Sequence, residues 1–322
     1  MKDMSDTLML TVATRLDDRG EIMRLTLTSD GTLPEVTAGA HIDLAVETAE
    51  GPVWRQYSLA GDPADRTTWT LGILREQNGR GGSAALHDGL KAGDTIRVEG
   101  PRNHFGLDDS ATDTVLFGGG IGVTPMLAMG HELHAKGAPF TLHYATRSAE
   151  RTAFLDLIDT LPFKDNVVLH HDDGAGAAPI DLARDMPAPA KGTHVYVCGP
   201  EGFMDWIIGA AEAAGHDSHN IHREYFSADV DTGGDAFEVV CEQSGLTVTV
   251  GPDDTIAKAL AKAGLKIEVK CEEGICGTCV TDVLDGEIDH RDQFLTEEER
   301  EDGDQICACC SRAKSGRLVL DI

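Results

Sequence analysis

The sequence predicts a multidomain protein that begins with an antiparallel β-barrel, continues with a doubly wound α/β domain and ends with a small α+β domain. Three observations carry this prediction. Short strand-like runs separated by Gly, Asp and Pro fill the first third of the chain. From Asp113 onward, strands alternate with helical segments. A polar, glycine-rich stretch then precedes a last segment that holds seven of the eight cysteines.

Six strand-like runs within residues 1–107 justify the barrel. They are LMLTVATRL, IMRLTLTS, HIDLAV, WRQYSLA, WTLGILR and DTIRVEG. Several short strands at this spacing are typical of a small antiparallel barrel.

Residues 108–226 predict the α/β domain. The run TVLFGGGIGVTPMLAMGHEL passes from an apolar strand through glycines into a helix, and three more strand-like runs follow: FTLHYATR, VVLHHDDG and THVYVCGP. Helical segments such as AFLDLIDTL and GFMDWIIGAAEAAG stand between or after them. Such alternation indicates a parallel sheet, whose ligands bind at the carboxyl ends of the strands.

Residues 227–236, SADVDTGGDA, are predicted to form a linker to a last domain at 237–322. In that domain FEVVCEQ and LTVTV predict a hairpin that turns around Ser244-Gly245, and the helix-like DTIAKALAKAG follows.

The composition excludes some classes of partner. The formal net charge of −28 over 322 residues speaks against nucleic acids and anionic membranes. The apolar runs are too short for a membrane span, so we expect a soluble, cytoplasmic protein with reduced thiols. The densest acidic run, Asp282–Asp304, holds eleven acids against two arginines. It is either a solvated face or a docking surface for a basic partner.

Cys271, Cys276 and Cys279 stand in a C-x4-C-x2-C pattern. This is the plant-type spacing for a [2Fe–2S] cluster, which takes a fourth cysteine from farther along the chain. Gly274 and Gly277 allow the backbone to bend close to such a cluster. The alternative is a zinc site, but zinc sites usually pair C-x2-C with a second C-x2-C or with two histidines.

The stretch CEEGICGTCVTDVLDGEIDHRDQFLTEEE followed by CCSRAKSGRLVLDI closely resembles the ferredoxin domain of the phthalate dioxygenase reductase family, which includes the reductases of vanillate demethylase and carnitine-type oxygenases. The resemblance covers the whole chain. It implies a plant-type ferredoxin domain and an NADH-dependent reductase that passes electrons from NADH through FMN and the [2Fe–2S] cluster to a Rieske-type terminal oxygenase. The alternatives are a reductase for another acceptor, such as a diiron monooxygenase or a separate ferredoxin, and a non-catalytic iron–sulfur electron carrier.

Cys309 is the predicted fourth ligand of the cluster. Between Cys279 and Cys309 lie 29 residues, a gap typical of plant-type ferredoxins, and the resemblance to the phthalate-type reductases sets Cys309 on the position of their last ligand. The side chains of a strand alternate, so Cys307 and Cys309 are expected to face one way and Cys310 the other, which excludes Cys310. Strand direction alone does not exclude Cys307.

The run RQYSLAG resembles the R-x-Y-S flavin motif of the ferredoxin reductase superfamily. The resemblance implies that Arg55 binds the flavin phosphate, Tyr57 lies against the isoalloxazine ring and Ser58 lies near its N5 atom. The run GRGGSAAL offers a second phosphate-binding element, because a helix with free N–H groups starts at Gly81, Gly82 and Ser83. FMN rather than FAD follows only from the likeness to the phthalate-type reductases.

The run GGGIGVTPM matches the G-G-x-G-x-T-P turn of the family, which implies a pyrophosphate over the glycines and a Thr near the cofactors: Gly119, Gly120, Gly122 and Thr124. The run VYVCGPEGFM matches the C-G-P stretch, made here by Cys198, Gly199 and Pro200. Cys198 would lie beside the nicotinamide. The alternative for Cys198 is a buried, small apolar residue at a strand end.

Two further strand ends supply predicted contacts of the dinucleotide. Thr146 and Arg147 would help to hold it, and Asp172 or Asp173 would bind the adenosine ribose, as an acid does in NAD-specific sites. A plain turn is the alternative for this pair of acids. In HREYFSAD the resemblance implies that Phe226 covers the flavin ring; ordinary core packing is the alternative. The residues predicted to act at the reacting rings are thus Ser58, Cys198 and Phe226.

Overall fold

The computed structural model describes residues 7–48, 51–77, 79–174, 176–228 and 230–322. The chain divides into two compact units, Met1–Glu224 and Tyr225–Ile322. The first unit holds the barrel and the α/β domain, and the domain boundary predicted at residue 107 lies inside it. The second unit holds the cysteine segment.

All six predicted barrel strands are present: β1 Thr7–Asp17, β2 Ile22–Thr28, β3 His41–Thr48, β4 Gly51–Ser58, β5 Thr68–Leu74 and β6 Thr95–Arg102. They form one antiparallel sheet in the order β4-β3-β6-β1-β2-β5. A bridge between Leu59 and Leu71 brings the two ends of this sheet together, as in a barrel. The inward side chains of alternating positions, such as Leu25, Leu27 and Ile42, are fully buried in its core. The helix α1, Gly82–Gly89, lies between β5 and β6.

The α/β domain contains β7 Asp113–Gly119, α2 Val123–Lys136, β8 Phe140–Thr146, α3 Leu155–Ile158, β9 Val167–His171, α4 Leu182–Asp185, β10 Thr193–Cys198, α5 Glu201–Ala214 and β11 Ile221–Glu224. Its strands are parallel in the order β11-β10-β7-β8-β9, as predicted for a doubly wound sheet. The edge strand β11 was not predicted, because IHRE shows no apolar run. Within the described ranges, no helix is both long and apolar enough to cross a membrane.

The second unit contains β12 Phe237–Cys241, β13 Leu246–Val250, α6 Ile256–Lys262, β14 Val280–Asp285, β15 Ile288–Asp289, α7 Glu297–Asp302, β16 Gln305–Cys307, β17 Arg312–Ala313 and β18 Arg317–Leu320. The larger sheet has the order β13-β12-β18-β14-β16, and β15 pairs with β17. The predicted hairpin and helix are confirmed as β12–β13 and α6. The helix packs over the sheet through buried Ile256 and Leu260.

The predicted linker, residues 227–236, has no helix or strand among its described residues. Its second half is nevertheless fastened to the second unit. Arg312 is only 2% exposed, and its guanidinium donates to the carbonyls of Thr232 and Asp235 at 2.7 and 2.9 Å. Arg291 binds two further carbonyls of the same stretch. The flexible part of the predicted linker is therefore shorter than its composition suggests.

Candidate functional site

Two glycine turns meet at the carboxyl edge of the parallel sheet. One leads from β7 into α2 and the other from β10 into α5. A Cβ on Gly122 would lie 2.2 Å from the carbonyl oxygen of Cys198, so the turns touch backbone to backbone. Gly120 has φ of 55° and faces open space. The start of α2 thus offers N–H groups at an uncrowded surface, which fits a pyrophosphate.

Thr124 lies in the first turn of α2. Its side chain is buried, and its hydroxyl donates to the carbonyl of Ile121 at 3.0 Å. Its methyl group packs toward the barrel strand β5, where a Cβ on Gly72 would lie 3.0 Å from it. Thr124 therefore fastens the glycine turn to the barrel, and a direct contact of its hydroxyl with a cofactor remains a prediction.

Cys198 and Ser58 are buried, and with the partly buried Glu224 they form a polar group between the barrel and the sheet. Cys198 ends β10 and is paired in register with Glu224 of β11. The Ser58 hydroxyl, at the end of β4, donates to Oε2 of Glu224 at 3.3 Å. Residues that are far apart in the sequence are thus brought together at the edge where the two glycine turns meet.

Burial controls the charge of this group. It raises the pKa of Glu224 to about 8, against the opposing effect of the Ser58 hydrogen bond. Burial, and then the nearby Glu224 carboxyl, raise the pKa of the Cys198 thiol well above its usual value. The thiol is therefore neutral at pH 7, and Glu224 can hold or release one proton near neutral pH. Both interpretations of Cys198 fit its place, because it is fully buried and also lies at the site.

No sequence pattern indicated a role for Glu224. The residue stands two positions before Phe226, in the stretch that was considered only for its aromatic side chain. The sequence does show an acidic residue just before the end of the α/β domain, and this was the one feature that could have drawn attention to Glu224. Its importance depends on the register between β10 and β11, which the sequence does not display.

Arg55 lies against the start of α1, as the predicted phosphate site requires. A Cβ on Gly82 would be 2.7 Å from Nε of Arg55, so glycine at this position lets the guanidinium lie close to the helix backbone. Gly81 is the residue before the first turn of α1. The Ser83 hydroxyl accepts a backbone N–H of the preceding loop at 3.0 Å. A guanidinium beside a helix N-terminus fits the phosphate of a flavin nucleotide.

Tyr57 precedes Ser58 on β4 and has a half-buried side chain. Burial raises the pKa of its phenol, against the opposing effect of Arg55, so the ring is neutral. Phe226 falls in the second unit, two residues beyond the end of β11. Its contact with a flavin ring remains a prediction.

The ends of β8 and β9 are joined by backbone hydrogen bonds. The N–H of Asp172 donates to the carbonyl of Thr146 at 3.2 Å, and that of Asp173 donates to Arg147 at 3.1 Å. Both acids and Arg147 are exposed at this edge, as a dinucleotide site requires. Thr146 is buried, and its hydroxyl lies 2.6 Å from that of Thr152. Thr146 thus supports the turn, and its direct contact with the dinucleotide remains a prediction.

Histidine pairs lie on opposite faces of the parallel sheet. Nδ1 of His143 and Nε2 of His170 are 2.9 Å apart, and Nδ1 of His194 and Nε2 of His222 are also 2.9 Å apart. Burial, and then the partner ring, lower the pKa of His143 and of His222 to about 4. The first pair and Asp185 are close enough to hold a metal ion, but the guanidinium of a neighbouring arginine already binds that carboxylate.

The cluster cysteines lie together in the second unit. Cys271, Cys276, Cys279 and Cys309 are all buried. The Cys309 thiol is within hydrogen-bonding distance of those of Cys271 and Cys279, and Cys271 is likewise close to Cys276. The loop bends at Gly277, whose φ is 67° and whose added Cβ would lie 2.2 Å from the Phe294 ring. Three thiols of a glycine loop and a fourth from a distant turn converge here, which fits a [2Fe–2S] cluster.

The strand argument used for the fourth ligand was wrong. The strand β16 ends at Cys307, and Cys309 and Cys310 lie in a turn in which the N–H of Cys310 donates to the carbonyl of Cys307 at 3.2 Å. Side chains therefore do not alternate there. The Cys310 sulfur lies beneath Gly274, 2.6 Å from where a Cβ would stand. The Cys307 thiol is within hydrogen-bonding distance of Cys279, whereas that of Cys309 reaches both Cys271 and Cys279, which supports Cys309 as the predicted ligand.

Asp292 is a further residue whose role the sequence did not indicate. It was counted in the acidic run, yet it is fully buried behind the cysteine loop. Its carboxylate accepts the N–H of Leu295 at 2.9 Å and the hydroxyl of Ser311 at 3.1 Å. The next residue, Gln293, donates its N–H to the carbonyl of Gly274 at 2.9 Å. Asp292 therefore fixes the backbone that supports the cysteine loop.

Three family models match parts of this chain. The model of the oxidoreductase FAD-binding domain matches residues 7–106, and the model of the 2Fe-2S iron-sulfur cluster binding domain matches residues 239–314. Between them, residues 95–221 match the N-terminal domain of the dimethylamine monooxygenase subunit DmmA-like family.

Among curated proteins, a vanillate O-demethylase oxidoreductase of a Pseudomonas species is 43% identical over 91% of this chain and 92% of its own length. The phthalate 4,5-dioxygenase reductase subunit of Pseudomonas putida is 39% identical over 90% of this chain and 88% of its own length.

Among solved structures, phthalate dioxygenase reductase matches with a TM-score of 0.73 and 36% identity, over 99% of this chain and 98% of that one. An intact type IV self-sufficient cytochrome P450 monooxygenase matches with a TM-score of 0.86 and 39% identity. That match covers 98% of this chain but only 41% of the P450 chain. The chain therefore belongs to the family of flavin- and [2Fe–2S]-containing oxygenase reductases that includes phthalate dioxygenase reductase and the vanillate O-demethylase oxidoreductases.

Proposed function

We propose that this chain is the NADH-dependent reductase of a Rieske-type terminal oxygenase and that its flavin is FMN. The observation that carries the proposal is the likeness, over nearly the whole chain, to the reductases of vanillate and phthalate oxygenases. A bound flavin accepts two electrons from NADH and releases them singly to an iron–sulfur cluster.

The side chains have distinct tasks in this proposal. The glycine turn before α2 holds the pyrophosphate, and Arg55 with the start of α1 holds the flavin phosphate. Ser58 and Glu224 form a hydrogen bond through which a proton can be held next to the reacting rings. Cys198 fills the strand end beside them and keeps water out.

The proposed docking surface for the oxygenase lies on the second unit. Exposed acids follow one another along β14 and α7: Asp282, Asp285, Glu297, Glu298, Glu301 and Asp302. Leu284, which is 54% exposed, lies between the acidic residues of β14. The strand begins directly after Cys279, so this surface borders the cysteine loop. An acidic surface with an apolar residue fits a basic partner, and it would speed association at low salt.

The test is electron transfer to purified acceptors with NADH as donor. We expect reduction of the oxygenase components of vanillate demethylase or phthalate dioxygenase, at a rate that falls as salt rises. The variant Glu297→Gln/Glu298→Gln/Glu301→Gln should weaken this salt dependence. The matched control is Asp205→Asn/Glu212→Gln on α5, which should leave it unchanged. A rate that does not vary with salt would leave the acids as a solvated face only.

A second acceptor class should be tested in the same assay, because the likeness to 41% of the chain of a self-sufficient cytochrome P450 monooxygenase is also strong. Faster reduction of a P450 haem domain or of a diiron monooxygenase than of either Rieske-type oxygenase would contradict the proposed partner. The flavin is identified by denaturing the protein and separating the released nucleotide by chromatography. Release of FAD would contradict FMN while leaving the family assignment intact.

A further inference from the structure

The seam between the two glycine turns is covered by an aromatic ring. A Cβ on Gly119 would lie 2.7 Å from Cδ1 and 3.0 Å from Cε1 of Phe203. A Cβ on Gly199 would lie 2.9 Å from the same Cδ1 and 3.0 Å from Cα of Gly119. The Phe203 ring thus rests on the backbones of both turns, and there is no space for a side chain beneath it.

The position of Phe203 is unusual for a packing residue. The ring belongs to the first turn of α5, directly after the Cys-Gly-Pro stretch, and it is half-buried rather than fully buried. Trp206, 47% exposed, lies next to it with the ring centroids 6.5 Å apart. Two aromatic rings therefore stand partly open at the carboxyl edge, where ligands of such sheets bind.

We propose that Phe203 is a positioning residue for NADH: its ring fixes the separation of the pyrophosphate turn from the Cys198 turn and gives the dinucleotide an apolar wall. The inference rests on the proposed function, because it places NADH at this edge. The two turns follow different strands. The position of the Phe203 ring between them therefore determines whether both turns can contact the same dinucleotide. Loss of the ring should therefore affect the binding of NADH more than its oxidation.

The first test is a split between KM and kcat in the flavin-loaded full chain, with ferricyanide as acceptor. We expect Phe203→Ala to raise KM for NADH about tenfold, with a change in kcat of less than about threefold. Phe203→Tyr, which keeps the ring, should restore KM to within about twofold of the original value. An unchanged KM in Phe203→Ala, or a fall confined to kcat, would overturn the proposal.

The matched control is Phe163→Leu. Phe163 also packs its ring on a glycine, since a Cβ on Gly130 would lie 2.6 Å from it, but this contact is in the middle of α2 and is fully buried. Phe163→Leu should lower Tm without raising KM. A rise in KM as large as that of Phe203→Ala would show a general effect of destabilisation and would overturn the proposal.

A double-mutant cycle sharpens the test. The three nearest atoms to a Cβ on Gly119 all belong to Phe203, and Gly119 has φ of −99°, which alanine adopts freely. Gly119→Ala should therefore raise KM by displacing the ring, and adding Phe203→Ala should produce a smaller rise than the product of the two single effects. Fully multiplicative effects would contradict the proposal. If NADH fails to reduce the flavin of the unmodified protein, the proposed function itself is wrong.

Discussion

The two cofactor regions of this protein are built on opposite principles. The site of the first unit gathers side chains from β4, β10 and β11, and Ser58 and Glu224 are 166 residues apart in sequence. In the second unit, three of the predicted cluster ligands stand within nine consecutive residues, Cys271 to Cys279, and the fourth predicted ligand lies in a turn. The first depends on long-range register and on groups kept neutral by burial, whereas the second depends on the number of thiols in one loop. The first site should therefore be sensitive to pH and to changes in the distance between its strands. The second should be sensitive to the loss of a single cysteine sulfur.

The largest expected effect concerns the thiols. Cys309→Ser should lose most of the iron and the EPR signal of the reduced cluster, because Cys309 contacts two of the other three ligands. Reduction of ferricyanide by NADH should persist, since the first unit has its own cofactor site. Iron analysis and EPR spectroscopy measure the first outcome.

Cys307→Ser and Cys310→Ser are the controls for this experiment, and both should keep the cluster. If Cys307→Ser loses the cluster while Cys309→Ser keeps it, the assignment of the fourth ligand is wrong. If Cys309→Ser also abolishes ferricyanide reduction, the two cofactor regions do not work independently of each other.

The next effect concerns Glu224. Its pKa of about 8 in the folded protein lies above the usual 4.5, so the folded state binds more protons between these values and stability falls as pH rises through them. The full loss amounts to about 5 kcal/mol at most. Glu224→Gln should remove this slope. All three tryptophans lie in the first unit, so their fluorescence during denaturation reports its unfolding. The same slope in both proteins would show that Glu224 is not the titrating group.

The histidines predict a loss of stability in acid. Because the pKa of His222 is lowered to about 4 in the folded state, the unfolded state binds protons first, and stability is lost as pH falls from about 6.5 toward 4. His222→Phe should reduce this loss and keep the ring stacked on Tyr196. His219→Phe is the control, since His219 is 91% exposed. Equal acid sensitivity in His222→Phe and the unmodified protein would argue against the histidine pairs as its cause.

The smallest effect is on the choice of dinucleotide. Asp172→Ala/Asp173→Ala should raise kcat/KM for NADPH about tenfold, because the exposed carboxylates would no longer repel a 2′-phosphate. Asp165→Asn, at an exposed acid before β9, is the control. An unchanged ratio of NADH to NADPH activity would remove these acids from the ribose site.

The sequence predicted best what is local. Short apolar runs between Gly, Asp and Pro indicated all six barrel strands, and cysteine spacing indicated the 2Fe-2S domain without any knowledge of the fold. Glu224 could not be found in this way, because its role arises when β11 pairs with β10. Asp292 looked like one more surface acid, since burial behind a loop leaves no mark in a run of charges. The direction of Cys310 was inferred from strand geometry, and the chain turns there instead.

The anchored linker has a consequence for the speed of electron delivery. Val230 already packs against the core of the second unit, so the connecting chain from Glu224 to Val230 spans at most about 20 Å when extended. With a tether of this length, the effective concentration of one unit with respect to the other is on the order of 1 mM or more. Transfer between the two cofactors should accordingly follow first-order kinetics that do not change on dilution. Only delivery to the external acceptor should depend on how many copies of the protein are present.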